Sequence, residues 1–85
     1  MPRVVFTSNL QRHVACPEAA VRGTTVREAL DNVFIKETKM RGYVLDEQGD
    51  LRRHVHVYVS GRRAALSDAV EASSEIFVLQ ALTGG

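Results

Sequence analysis

The segment that most constrains this chain is Glu75 to Gly85, an apolar run followed by two glycines. Residues 75–82 contain six apolar side chains, among them isoleucine, phenylalanine and valine, which favour strands. A run of this length is too short for an ordinary helix and is typical of a strand that is buried on both faces, or nearly so, in the middle of a sheet. We therefore predict a central strand that leads into a flexible tail at residues 83–85.

The tail, Thr83-Gly84-Gly85, has the properties that activation by another protein requires. Glycine has no side chain, so Gly84 and Gly85 can enter a slot too narrow for other residues and adopt backbone angles closed to them. A terminal carboxylate is a poor electrophile, but it becomes reactive as an acyl-adenylate. A chance pair of glycines is the alternative; the core strand that directly precedes the pair favours the functional interpretation.

Length, charge and cysteine usage narrow the class of protein. Eighty-five residues predict a single domain, 1–85, that folds alone. Eleven basic and ten acidic side chains leave a net charge of +1, which argues against a nucleic-acid binder held by electrostatics. No apolar run approaches the roughly 18 residues that cross a membrane. The chain enters a strand pattern at once, so we expect no signal peptide, and a lone cysteine, Cys16, favours the reducing cytoplasm.

Short runs of strand-forming residues, separated by turn residues, predict a strand-rich chain. Pro17 lacks an amide hydrogen, so the strand that contains it belongs at a sheet edge. The predicted strands are 3–8, 14–22, an extended segment at 43–45, 51–59 and the final run. The other predicted features are turns at 46–50, 60–61 and 73–74 and one helical turn at 66–70, capped by Ser67 or Asp68.

One long helix is predicted at residues 25–40. Its apolar stripe at helical spacing consists of Val26, Ala29, Leu30, Val33 and Phe34. Thr25 and Glu28 form a capping box, in which the threonine hydroxyl accepts an early amide and the glutamate reaches back. Gly42 is predicted to close the helix in a left-handed conformation.

These elements predict an α+β fold in which a mixed sheet of four to five strands packs on one main helix. In the 51–59 strand, three valines alternate with His54, His56 and Tyr58, so one face is buried. The final strand has two alternating sets of apolar side chains, and only one set can pack against the helix. The other set, Phe77 and Leu79, is then partly exposed beside Tyr58, and such an apolar patch suggests an interface.

The order of elements and the ending resemble a known family. The matching segments are Gly23 to Leu30 at the helix start, Leu51 to Gly61 as the long strand and turn, and the final strand that ends in Gly84-Gly85. Together they resemble the ubiquitin-like sulfur carriers of the MoaD/ThiS type, which have the β-grasp fold. The resemblance covers essentially the whole chain, and only the terminal glycine pair is functionally specific.

The resemblance implies a mechanism in which this chain is a carrier and not an enzyme. An E1-like activating enzyme adenylates the Gly85 carboxylate with ATP, and a sulfur donor converts the acyl-adenylate to a thiocarboxylate. A second, biosynthetic enzyme then accepts the sulfur. In this mechanism Thr83 and Gly84 give access to the terminus, and the chain itself binds no cofactor. The residues expected to dock the partners are Tyr58, Phe77, Leu79 and Leu82.

The receiving pathway stays open. The segment between the helix and the long strand makes the chain more similar to the molybdopterin-type and cysteine-type carriers than to the shorter thiamine-type ones. The family often has asparagine where Ser60 stands, Asp-Gly-Asp where 72–74 stands, and proline near 80–81. These departures fall near the expected docking surface and leave the tail unchanged.

Two other classes of function fit the same pattern. The first is a ubiquitin-like modifier that is conjugated to lysines of target proteins through Gly85. The second is a non-covalent β-grasp module whose surface binds a partner and whose tail is idle. Deleting Gly84 and Gly85 separates this module from the other two, because only its function would survive.

Other candidate sites have simpler interpretations. Cys16 is predicted to be a small core residue, because His13 is the one nearby cation that would lower its pKa. His13, His54, His56 and Cys16 lack the spacing of a closed metal site, so none is predicted. The arginine pairs 52–53 and 62–63 either dock an acidic partner or lie solvated at strand ends. No constellation of catalytic residues is present.

Overall fold

The computed structural model describes residues 1–6 and 18–80. Its sheet has five strands in the order β2-β1-β5-β3-β4, with β5 in the centre. β1 and β5 are parallel and the other pairs are antiparallel, so the sheet is mixed, as predicted. The elements are β1 (Arg3–Phe6), β2 (Glu18–Ala20), α1 (Val26–Lys36), α2 (Thr38–Val44), β3 (Val55–Val59), β4 (Arg62–Ala64) and β5 (Glu75–Gln80).

The predicted α+β class, with a mixed sheet packed on a main helix, is confirmed. The strand at 18–20 lies at a sheet edge, as predicted for the 14–22 strand that contains Pro17; residues 14–17 of that prediction lie outside the described residues. Among the described residues, no helix has the length and apolar character needed to span a membrane.

The core lies between one face of the sheet and α1. Side chains alternate along a strand, so every second residue of each strand points at the helix. The predicted stripe of α1 is buried along its whole length, and the rings of Phe6 and Phe34 stack with centroids 6.4 Å apart. The sheet residues of this core are Val4, Phe6, Val55, Val57, Ile76 and Val78.

The capping box forms at the start of α1 with one difference in register. The Thr25 hydroxyl accepts a hydrogen bond from the Glu28 amide at 3.2 Å, as predicted. The Glu28 carboxylate reaches back to the amide of Thr24 at 3.0 Å, one residue earlier than in the usual box. Two amides near the helix start are therefore satisfied by local side chains.

The prediction of a helical turn at 66–70 is wrong. The segment is irregular, and its carbonyl groups accept hydrogen bonds from the first amides of α1. Val26 donates to Asp68 at 3.0 Å and Arg27 donates to Leu66 at 2.9 Å. These carbonyls satisfy amides that a helix leaves without an internal partner. The same hydrogen bonds hold the segment in an irregular, non-helical conformation.

The predicted helix at 25–40 is two helices. α1 ends at Lys36, and Glu37 has the non-helical angles φ −110° and ψ 65° before α2 begins. At helical spacing the stripe of α1 continues through Glu37 to Met40 and Val44. Met40 and Val44 are buried, as that spacing predicts, although the helix is interrupted at Glu37.

Two local predictions that depended on a single helix are also wrong. Gly42 lies inside α2 and is absent from the glycines with positive φ, so it is not a left-handed cap. Tyr43 and Val44, predicted to be extended, are helical. The chain becomes extended only at Leu45, which forms an isolated bridge with Leu51.

The strand predicted at 51–59 is shorter, because β3 begins at Val55. The residues before it form a turn, in which the Val55 amide donates to the Arg52 carbonyl at 3.0 Å. The tight turn after β3 is confirmed: Ser60 and Gly61 have φ values of 50° and 85°. A two-residue hairpin with both central residues at positive φ fits the twist of its strands and sets their register.

Candidate partner-docking face

Within residues 1–6 and 18–80, no helix covers the face of the sheet that points away from α1 and α2. We call this the open face and define it by the alternate strand residues that the core does not use. Its members are Glu18 and Ala20 of β2, Arg3 and Val5 of β1, Glu75, Phe77 and Leu79 of β5, His56 and Tyr58 of β3, and Arg63 of β4.

An apolar centre crosses the middle three strands of the open face. Val5 lies opposite Phe77, Phe77 lies opposite Tyr58, and Leu79 lies opposite His56. Residues directly opposite one another on neighbouring strands share a face and interact through their side chains. All five are only partly buried, so they are available to a partner.

The structure brings together three of the four side chains predicted for docking. Tyr58, Phe77 and Leu79 are neighbours on β3 and β5, while Leu82 lies outside the described residues. Val5 was not among the predicted docking residues, although side-chain alternation along the predicted strand 3–8 places it on the face opposite Val4 and Phe6.

β5 is central but it is not buried on both faces. Ile76 and Val78 are fully buried against the helix side, whereas Phe77 and Leu79 are only partly covered. A single layer of helices can cover one face of a sheet, so the second apolar set of a central strand stays accessible. The prediction of burial on both faces is therefore wrong, and the expectation of a partly exposed set is right.

Charged residues border the apolar centre unevenly. Next to β2, the Arg3 guanidinium lies 3.6 Å from the Glu18 carboxylate and 3.9 Å from that of Glu75. On the opposite side, Arg63 is exposed on β4 and makes no ion pair with another described residue. Toward one edge the face therefore carries two carboxylates that share one guanidinium, and at the other edge it carries a cation that makes no ion pair with a described residue.

His54, just before β3, and His56 within β3 belong to no metal centre within the described part of the chain. Among those residues, no group of three histidine, cysteine or acidic side chains is placed to hold a metal ion. His54 is exposed and His56 is half-buried, with its Nδ1 atom buried and without a hydrogen-bond partner among described groups. His13 and Cys16 lie outside the described residues.

The predicted site of activation follows directly from the central strand. The last described residue, Gln80, lies opposite Val55 at the start of β3, and residues 81–85 continue from there. Thr83, Gly84 and Gly85 themselves lie outside the described residues, so their proposed roles stay predictions. The described part offers a rigid body with one open face and the base of the tail.

Comparison with known proteins finds similarity in structure over nearly the whole chain. No family model and no curated protein sequence matches this chain. The small archaeal modifier SAMP1 from Haloferax volcanii is 25% identical, with a TM-score of 0.85, and the match covers 99% of this chain and 98% of that one.

Two further solved structures share the fold. A structure of the BexX/CysO complex from Amycolatopsis orientalis matches at 23% identity and a TM-score of 0.86, with 100% of both chains covered. CysO from Mycobacterium tuberculosis matches at 18% identity and a TM-score of 0.83, with 96% of this chain and 100% of that chain covered. The chain thus has the ubiquitin-like β-grasp fold, and its predicted resemblance to ubiquitin-like sulfur carriers is confirmed at the level of the fold.

Proposed function

We propose that this chain is a small sulfur carrier whose Gly85 carboxylate is the reactive group. The observation that carries the proposal is the central position of β5, which leads straight into Thr83-Gly84-Gly85. Hydrogen bonds to strands on both sides hold β5 rigidly, so the tail starts from a fixed point. The similarity to carriers and modifiers along the whole chain supports the same role.

The proposed chemistry occurs in two activation steps on partner enzymes. A carboxylate oxygen of Gly85 attacks the α-phosphate of ATP, forming the acyl-adenylate and releasing pyrophosphate. A hydrosulfide-equivalent donor then attacks the acyl carbon, and AMP leaves with the electron pair of the C–O bond. The sulfur of the resulting thiocarboxylate attacks a biosynthetic acceptor and displaces its leaving group, which forms an acyl thioester. Water then attacks the acyl carbon, the C–S bond breaks with its electron pair on the sulfur, and Gly85 returns to the carboxylate.

In this proposal the chain contributes binding and access, and its partners supply catalysis. The open face docks first on an E1-like activating enzyme and then on a sulfur-accepting enzyme. Gly84 and Gly85 reach the active sites because they carry no side chains. The chain binds no cofactor of its own, and ATP belongs to the activating enzyme. We place this cycle in the cytoplasm.

Intact mass spectrometry tests the carrier proposal directly. The chain is incubated with ATP, a sulfur source and the adenylating enzyme encoded in the same genome. We expect a mass increase equal to the replacement of one oxygen by sulfur, located on the C-terminal peptide. A variant that lacks Gly84 and Gly85 is the control and should stay unchanged. Absence of the sulfur-containing species in the unaltered chain would contradict the proposal.

The receiving pathway is tested with two acceptor enzymes. The proposed acceptors are of the molybdopterin type or the cysteine type, and the thiocarboxylate form should transfer sulfur to one of them. The CysO structures are less than 25% identical to this chain, so they support the fold and leave the product open. Loss of sulfur mass from the carrier, measured with each acceptor, identifies the pathway.

Conjugation to proteins is a second candidate function. It is favoured by the 25% identity to SAMP1, a protein described as a modifier. In that case lysines of target proteins would attack the activated Gly85, and digests of cell extracts would contain branched peptides that carry the tail. If only free thiocarboxylate is found, the carrier role stands alone. If removal of the glycines leaves cellular function intact, the chain is instead a non-covalent module.

A further inference from the structure

The register of the sheet places five side chains in one row across the open face. Starting from β2, the row has an acidic end, a middle of three apolar or aromatic residues and a basic end. Its members are Glu18, Val5, Phe77, Tyr58 and Arg63. The charge at each end has a different environment, and this difference determines which partner the face fits.

The acidic end is already occupied by a neighbour in the same chain. Arg3 lies between Glu18, at 3.6 Å, and Glu75, at 3.9 Å. Two carboxylates share one guanidinium, so the corner carries a small net negative charge. A partner that placed another carboxylate here would meet like charge, which disfavours that orientation.

The basic end of the row is Arg63, an exposed cation that a partner can reach. Arg63 is exposed, lies beside Tyr58 in register and makes neither an ion pair nor a side-chain hydrogen bond with any described residue. Its neighbour Arg62 lies opposite Val59 and therefore belongs to the other face of β4. An arginine side chain keeps its charge at every physiological pH and offers five donors in a planar fork that matches a carboxylate.

We propose that the protein covering the open face presents a carboxylate to Arg63, next to the apolar pocket that receives Phe77 and Tyr58. This inference rests on the proposed function, and it specifies the surface chemistry of the activating enzyme. The uneven charge fixes the orientation of docking: the acidic part of the partner lies over the β3–β4 edge, and Gln80 and the tail beyond it then enter the partner at a defined place.

A second copy of this chain fits the face less well than an acidic partner does. In a face-to-face dimer whose two-fold axis runs along the strands, the acidic end of one row would meet the basic end of the other, and with the axis along the row like charges would meet. Glu18 is already engaged with Arg3, so the pairing would compete with an existing ion pair on each copy. A separate protein with an acidic rim requires no such exchange.

Matched charge reversals test the proposal. Arg63→Glu removes the cation from the open face, and Arg41→Glu makes the same change in net charge on α2, on the helix side. Arg63→Lys keeps the charge and serves as the conservative variant. Each variant is first checked for native circular dichroism. The probe is the adenylating enzyme from the same genome, assayed by ATP–pyrophosphate exchange and, without ATP, by isothermal titration calorimetry.

We expect Arg63→Glu to raise KM and Kd about fivefold or more, with kcat unchanged, because rim charges steer encounter and weakly stabilise the complex. The salt dependence of binding should become weaker in this variant. Arg41→Glu should behave like the unaltered chain, and Arg63→Lys should lie between the two. Equal effects of the two reversals, or a fall in kcat alone, would overturn the inference.

The two readouts separate this inference from the function on which it rests. If the unaltered chain binds the enzyme but supports no pyrophosphate exchange, the carrier function fails while the binding data still decide the role of Arg63. If it does not bind, both fail. If the unaltered chain sediments as a dimer that Arg63→Glu dissociates, the open face belongs to a second copy and the inference is overturned.

Discussion

The same strands form the helix-covered face and the open face of the sheet, but the side chains on the two faces differ in how deeply they are buried. On the covered face Val57, Ile76 and Val78 are fully buried. On the open face Phe77 and Tyr58, which alternate with them, are only half-buried. The first set is constrained by packing within the chain, and the second set is the one that the proposed function assigns to contact with a partner. Stability and partner binding are therefore separated by a step of one residue along β3 and β5.

The largest expected effect on the covered face is that of Leu30→Ala. Leu30 is fully buried in α1 against the sheet, so the substitution removes apolar contacts and leaves a cavity. We expect the free energy of unfolding to fall by about 2–5 kcal/mol. Urea unfolding followed by circular dichroism measures the change. A loss below about 1 kcal/mol would show that the site collapses around the smaller side chain and that the two faces differ less than proposed.

The matched substitution on the open face is Phe77→Ala. Phe77 keeps part of its surface in water, so we expect a loss of unfolding free energy of about 1–2 kcal/mol, less than for Leu30→Ala. Binding to the adenylating enzyme should weaken strongly, because aromatic side chains at the centre of an interface often dominate its energy. Calorimetric titration measures the affinity. If binding is unaffected while stability falls as far as in Leu30→Ala, Phe77 is a core residue and the comparison fails.

The sequence predicted which side chains form the covered face better than it predicted where the helices and strands begin and end. The stripe from Val26 to Phe34 and the apolar run of β5 are strong local patterns, and the structure confirms both. The break at Glu37 was missed because the apolar spacing runs through it: Met40 and Val44 continue the stripe of α1, so the pattern gives no sign of an interruption. Local signals alone could not distinguish a helix that ends at Gly42 from one that passes through it.

The open face was only partly predictable for a different reason. Phe77 and Leu79 follow from alternation, but their neighbours depend on strand order, which is a long-range property. The position of Arg63 was closer to being predictable. The two-residue turn Ser60-Gly61 places Tyr58 opposite Arg63, so the turn alone indicates which arginine of the pair shares the face of Tyr58.

A smaller effect is expected at the start of the helix that covers the sheet. Thr25→Ala removes the hydroxyl that accepts from the Glu28 amide at 3.2 Å. Loss of an N-cap of this type costs about 1 kcal/mol. Thermal unfolding should show a lower Tm, while affinity for the enzyme stays unchanged, because α1 lies on the other side of the sheet. Thr25→Ser restores the hydroxyl and should recover most of the stability; failure to do so would point to the methyl group instead.

The smallest expected effect is that of Glu75→Gln at the acidic corner of the open face. The Glu75 carboxylate lies 3.9 Å from the Arg3 guanidinium, and both side chains are more than half exposed. Solvent and salt screen such a pair, so we expect unfolding free energy to change by less than about 0.5 kcal/mol. Binding is the more informative measurement. Removing one of two carboxylates that share Arg3 makes the corner less negative, which should slightly ease the approach of an acidic partner. Weaker binding after Glu75→Gln would show that the partner presents a cation here, and the orientation assigned to the open face would have to be reversed.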